Sequence, residues 1–243
     1  EYGRLFAEHA QKILNEYAAA EQDILAEKQR QSGSLSVACY FDVLGSQMGL
    51  FLDAFLTQHP NVNLNFDSID AITPTDSYMK EHPSVDLMIN YLCEPLPADK
   101  YVIQELFSES LHLIVPETHP LSSRTSIFLH EIQGLRLIEC SETQHPFYRE
   151  GLRNILLKSG ATYVTVKDAT SLKQSLVMVE SGFGCTIAPW QEGRYHFPKL
   201  RAIPISDQSC RIKVAAVWRE DSLNPNICPL ADILKSGFAG SDG

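Results

Sequence analysis

Residues 163–189 read YVTVKDATSLKQSLVMVESGFGCTIAP. Tyr163, Val164 and Val166 alternate as a strand. Thr170 to Ser181 has helical spacing, with Thr170 as a candidate cap and Gly182 as a stop. Cys185 to Ala188 is again an apolar, strand-like run. A strand, a helix and a second strand within 27 residues form a βαβ signal, which predicts a mostly parallel sheet covered by helices.

The same signal extends outward in both directions. Before it come strands at Leu111–Val115 and Leu135–Ile138, then a helix from Pro146 to Lys158 closed by Gly160. Earlier still, Ser36–Cys39 reads as a strand and Gly45–His59 as a helix with Met48, Leu52, Phe55 and Leu56 inward. Val62, Leu64 and Phe66 form a strand, Pro74–His82 a helix and Val85–Ile89 a buried strand. After it come a strand at Lys213–Trp218 and a helix from Pro225 to Phe238. From residue 34 onward the chain holds two βα-rich halves, so two subdomains are expected.

Residues 4–32 contain neither Gly nor Pro. A helix of that length would run about 43 Å. Phe6, Ala10, Ile13, Tyr17, Ala20 and Ile24 follow at gaps of 4, 3, 4, 3 and 4, the repeat of a coiled-coil seam. Phe6, Ile13, Tyr17 and Ile24 are the candidate association residues, making a dimer or tetramer the expected state. An amphipathic helix packed on its own domain is the alternative.

The chain has 243 residues, 44% of them hydrophobic and 21% charged, a globular composition. Twenty basic residues against 30 acidic leave a net charge of −10, which argues against this chain itself gripping a nucleic-acid backbone. No uncharged apolar run is long enough to cross a membrane. The six cysteines, at 39, 93, 140, 185, 210 and 228, lack zinc-site or redox-pair spacing and read as free thiols in a reducing cytoplasm. With no initiator Met and a start in apparent mid-helix, the chain is expected to be a fragment.

Catalytic patterns are missing. Gly45-Ser46-Gln47-Met48-Gly49 has its serine in the wrong slot for a nucleophile elbow. His130-Glu131 lacks the second histidine of a zinc helix. Gly182-Phe183-Gly184 follows a helix, not a strand, so it is no dinucleotide loop. His119, alone before Pro120, is expected to be solvated. The expectation is a binding protein with no catalytic residues, no metal and no cofactor.

Several segments resemble the LysR-type transcriptional regulators. Residues Gly3 to Leu14 resemble the start of their linker helix, and Gly33–Val37 the entry to their effector-binding domain. Phe55 with His59-Pro60-Asn61-Val62, Val85–Ile89, Leu113–Leu121 and Ser171–Pro189 resemble further family stretches, in order over nearly the whole chain. The resemblance implies an α/β fold of two Rossmann-like subdomains joined by two crossover segments. That fold is periplasmic-binding-protein-like (type 2) and is preceded by a long helix. The implied division is 1–33, then 34–106 with 219–243, then 107–218. It also implies a small-molecule effector in the cleft, and promoter DNA held by a helix-turn-helix part that this chain lacks. A solute-binding protein of a transport system is the alternative, and an enzyme on the same scaffold a third reading.

Carried over by position, the effector pocket falls on Tyr40, Phe41, Asp42 and Val43, with Asp42 where the family usually has Thr. Across the cleft it falls on Ser141, Glu142, Thr143, Gln144 and His145, with Asp168 and Thr170 closing the far side and Asn90 and Tyr91 the near side. Both walls follow strand ends and lead into helices. The competing structural roles are a helix cap for Asp42, Ser141 or Thr143, subdomain filling for Tyr91, and solvation for Arg149 on a helix surface.

Overall fold

In the computed structural model, the described residues are 2–4, 6–7, 9–13, 15–17, 33–45, 47–143, 145–191 and 193–238. The helical residues 2–4, 6–7, 9–13 and 15–17 form α1. Ile24 and the rest of 18–32 lie outside the described residues, as does Gln144.

The remaining elements are β1 (Ser34–Cys39), α2 (Phe41–Leu44), α3 (Gln47–Gln58), β2 (Asn63–Ser68), α4 (Thr75–Glu81) and β3 (Leu87–Tyr91). Next come β4 (Tyr101–Pro116), β5 (Leu135–Cys140), α5 (Pro146–Ser159), β6 (Tyr163–Ala169), α6 (Leu172–Glu180) and β7 (Thr186–Pro189). The last are β8 (Leu200–Pro204), β9 (Arg211–Arg219) and α7 (Ile227–Phe238).

Strands β2, β1 and β3 are parallel, and β1, between the other two, is almost wholly buried. The rest of the large sheet is antiparallel, which corrects the expectation of a mostly parallel one: β9 pairs with β3 and β4, and β4 with β7 and β8. Strand β4 is 16 residues long and serves both halves. Tyr101–Ser110 pairs with β9, and Leu111–Pro116 with β7 and β8. The changeover is pinned where Leu111 N–H donates to Cys210 O (2.8 Å) and Ile205 N–H to Leu111 O (3.2 Å). Strand β9, which the sequence division groups with 107–218, is thus hydrogen-bonded into the first sheet. Its buried Ile212 and the continuous buried run Val214–Trp218 need that sheet's core.

In the second half β5 and β6 run parallel, and a bridge at Leu137–Cys185 joins β5 to the segment entering β7. Gly182, at φ +80°, ends α6, and Gly184 lets two backbones meet. A Cβ on Gly184 would lie 2.5 Å from Arg136 O, where Cys185 N–H donates to the same oxygen at 2.8 Å. One large apolar core runs through both halves, and a second cluster around Ile114, Ile138, Leu176 and Val179 sits under α6.

Local corrections have local causes. Phe51 rather than Leu56 faces the core from α3, since Phe51 packs on Phe238 of α7 while Leu56 is exposed. Ser171, not Thr170, caps α6: its side chain accepts from Gln174 N–H at 3.2 Å. Thr170 instead donates its backbone and hydroxyl hydrogens to Gln174 Oε1. His119 is half-buried, and its Nδ1 accepts from Leu121 N–H at 3.2 Å.

Candidate functional site

Strand β1 ends at Cys39, and the chain turns immediately into α2. Tyr40, Phe41 and Asp42 therefore stand at the C-terminal end of a central strand, where open α/β sheets take ligands. They line a cavity of ≈ 160 Å³ with Ser68, Ile69, Asp70 and Ala71 after β2, and with Leu172 and Lys173 at the start of α6. The first set belongs to the first half of the chain and the last pair to the second, so the cavity lies between the two. Asp42 is inside the turn of α2 rather than ahead of a helix, and its carboxylate is 3.6 Å from Lys173 Nζ. Val43 and Leu44 face a second, larger hollow of ≈ 400 Å³ beside the changeover in β4, with Phe107, Glu109, His112 and Trp190.

Other contacts tie the halves together behind this cavity. The hydroxyls of Tyr40 and Tyr195 are hydrogen-bonded. Tyr91 is buried, and its hydroxyl donates to Glu109 (2.5 Å) and accepts from Arg194 (2.9 Å). Tyr91 is therefore part of an ion-pair network, not of the ≈ 160 Å³ cavity. Burial raises the Tyr40, Tyr91 and Tyr195 phenols, with Tyr195 adding to the rise at Tyr40 and Glu109 to that at Tyr91, so all three stay neutral. Burial works against the Arg194 charge, but Glu109 outweighs it and the guanidinium is held more firmly protonated than usual.

The second wall is less direct than expected. Ser141 and Thr143 hydrogen-bond each other (2.9 Å), and His145 rather than either of them holds the cap position of α5. Ser141, Glu142, Thr143 and Thr170 do not line the ≈ 160 Å³ cavity. The His145 ring carries this wall to the first half instead, with Nδ1 3.1 Å from Ile72 O and Nε2 3.0 Å from Thr170 O. Asn90 fixes the opposing loop through Asp70 O (3.1 Å) and Thr73 O (3.4 Å).

Arg149 is not solvated. It is buried, donates to Cys140 O (3.0 Å), and pairs with Glu139 and with Asp168, each at 3.0 Å. Asp168 is thereby drawn to Arg149. Glu139 also receives Arg153 and the Thr165 hydroxyl. Burial pushes the Glu139 carboxyl up, but the hydrogen bonds and the two arginine charges overcome this and hold it below the usual carboxylate range. Sequence reasoning missed Ser68, Asp70, Lys173, Arg194 and Tyr195. Asp70 and Lys173 were the readable ones, as charges next to a strand end and a helix start.

All six cysteines are free. Burial raises the thiols of Cys39 and Cys185 to about 12. Among the described residues, no three His, Cys, Asp or Glu side chains gather as a metal site, and no helix is long and apolar enough to cross a membrane.

Residues 28–239 match the family described as the LysR substrate binding domain. The chain is 24% identical over 238 residues to the uncharacterized HTH-type transcriptional regulator YybE of Bacillus subtilis (strain 168), covering 97% of this chain and 77% of that relative. The effector-binding domain of BenM with benzoate superposes at a TM-score of 0.72 and 15% identity, over 86% of this chain and 93% of that one. Full-length CbnR complexed with its target DNA gives 0.67 and 16%, over 97% and 81%. With a match spanning nearly everything after the N-terminal helix, this chain belongs to the LysR substrate-binding domain family.

Proposed function

We propose that this chain is the effector-sensing and self-association part of a DNA-binding transcription regulator. The observation that carries the reading is the cavity formed by Tyr40–Asp42 and Ser68–Ala71 on one wall and Leu172–Lys173 on the other. A ligand touching both walls favours their approach, and so shifts a population between arrangements. The changeover at Leu111 and Cys210 is the natural hinge; it moves the division of 34–106 plus 219–243 against 107–218 to these two residues, so that β9 goes with the first subdomain.

The effector is a small polar molecule, below the drug-sized ligands that fill cavities of about 300–1,000 Å³. Asp42 and Asp70 favour a molecule with amine, amide or hydroxyl donors, and Lys173 with the α6 N-terminus accommodates a carboxylate. Ser141, Glu142, Thr143, Asp168 and Thr170 form the outer rim reached as the cleft moves; Tyr91 backs the Tyr40 ring from behind, and Val43 faces the larger hollow.

Promoter DNA would be held by a helix-turn-helix segment outside this chain, in keeping with the relative's description and the DNA complex of CbnR. The free thiols fit a reducing cytoplasm. The family match and the absent catalytic pattern favour a non-enzymatic sensor over a transport protein or an enzyme.

A thermal-shift screen against a metabolite panel tests the reading, because a ligand bound only by the folded state stabilises it by mass action. A small polar metabolite should raise the Tm in a concentration-dependent way. Stabilisation restricted to nucleic acids, or turnover of the ligand, would contradict it.

A further inference from the structure

His145 is buried at the start of α5, and each of its two ring nitrogens lies at hydrogen-bond distance from a backbone carbonyl. Ile72 belongs to the loop between β2 and α4, on the first wall. Thr170 joins β6 to α6, on the second. Carbonyl oxygens only accept hydrogen bonds. A neutral imidazole has one N–H and can satisfy one of them; the imidazolium has two and satisfies both. In the neutral ring the other nitrogen turns a lone pair toward an oxygen lone pair, in a buried setting where that mismatch is costly.

We propose that His145 is a proton-operated latch on the cleft: the charged ring is anchored on its own wall by Thr170 O and holds the opposite wall at Ile72 O, and loss of the Nδ1 proton releases the Ile72 wall. The proposal rests on the cleft being the effector site and adds its regulation. An effector that touches both walls and a proton on His145 favour the same arrangement, so each strengthens the binding of the other.

Several elements bring charged or titratable groups close to this ring. From the first wall, Cys93 and Glu94 share a small hollow with it; Glu94 accepts from Asp76 N–H (2.8 Å), and burial keeps the Cys93 thiol protonated. Asp70 stands two residues before Ile72. From α5, Tyr148 is kept neutral by burial, and Arg149 is neutralised by Glu139 and Asp168. From the second wall, Lys173 is paired with Asp42. Glu142, in the loop leading to His145, is exposed.

Nuclear magnetic resonance on the full 243-residue chain tests the latch without any effector, so its failure is separate from failure of the effector reading. Ring ¹⁵N signals follow the protonation of His145, and residual dipolar couplings follow the relative orientation of the two walls, between about pH 5.5 and 8.5. The two should trace one titration curve. His145→Gln should lose the pH-dependent reorientation, and His145→Lys should keep the low-pH orientation wherever its ammonium is protonated. If His145→Gln does not fold, the wild-type curves and the Lys variant decide. An orientation that stays constant while the ring titrates, or a variant that reorients with pH as the wild type does, overturns the proposal.

Discussion

Arg194 and Glu109 form a two-pronged ion pair at the back of the cleft, with Nη2–Oε1 at 2.5 Å and Nη1–Oε2 at 3.0 Å. The arginine side chain is 3% exposed and the glutamate 12%. Glu109 lies on β4 just before the changeover, whereas Arg194 comes from the loop after β7. The pair therefore fastens the second half of the molecule to the strand on which both halves turn. Tyr91 joins it from β3.

Removing one partner of such a pair strands the other charge. Arg194→Ala should destabilise the fold by about 3–5 kcal/mol, because Glu109 is left buried without its cation. Equilibrium urea unfolding measures this; a loss below about 1 kcal/mol would mean that solvent reaches Glu109 and the fastening is weak.

The Glu139 cluster gives a pH signature with a definite sign. Its carboxyl is held below the ordinary value of 4.5, so it contributes stability that is present above that value and is lost as pH falls through the folded-state value. The stability gap between wild type and Glu139→Gln should hold from pH 7 down to about 5 and then narrow toward acid. A gap that narrows as pH rises would contradict the assignment.

Much of the scaffold was readable because burial leaves a pattern. Ser34–Cys39 and Leu87–Tyr91 are short apolar runs since their strands are covered on both faces, and Pro146 and Gly160 mark the two ends of α5. The first half of β4 was not readable: Gln104, Glu105, Ser108, Glu109 and Ser110 are polar on both faces of a strand that borders the cleft. β8 was missed as a short strand with a charged residue, Arg201, inside it and a proline at its end. At the site, the position after β1 was legible as a strand end. The roles of Arg149 and His145 were not, because a charge on a helix and a histidine in a loop look solvated until Asp168, Glu139 and Ile72 are brought to them from distant parts of the chain.

The N-terminal seam is exposed in the single chain. Phe6, Ile13 and Tyr17 are 75%, 69% and 63% exposed, and three large apolar residues on one stripe of α1 invite a partner helix. Phe6→Glu with Ile13→Glu should shift sedimentation toward monomer. An unchanged oligomer would place the association on other surfaces.

Calorimetric titration of a metabolite found by thermal shift tests the cleft assignment most directly. Ser68→Ala should weaken binding by roughly 0.5–1.5 kcal/mol, or up to ~3 if the ligand atom it meets is charged. Asp42→Asn should weaken binding of a donor-bearing ligand while leaving the fold intact, and Thr143→Val reports whether the outer rim takes part. Loss of affinity in Ser68→Ala and Asp42→Asn is the result predicted. Unchanged affinity in both, with the fold intact, would contradict a ligand between the walls.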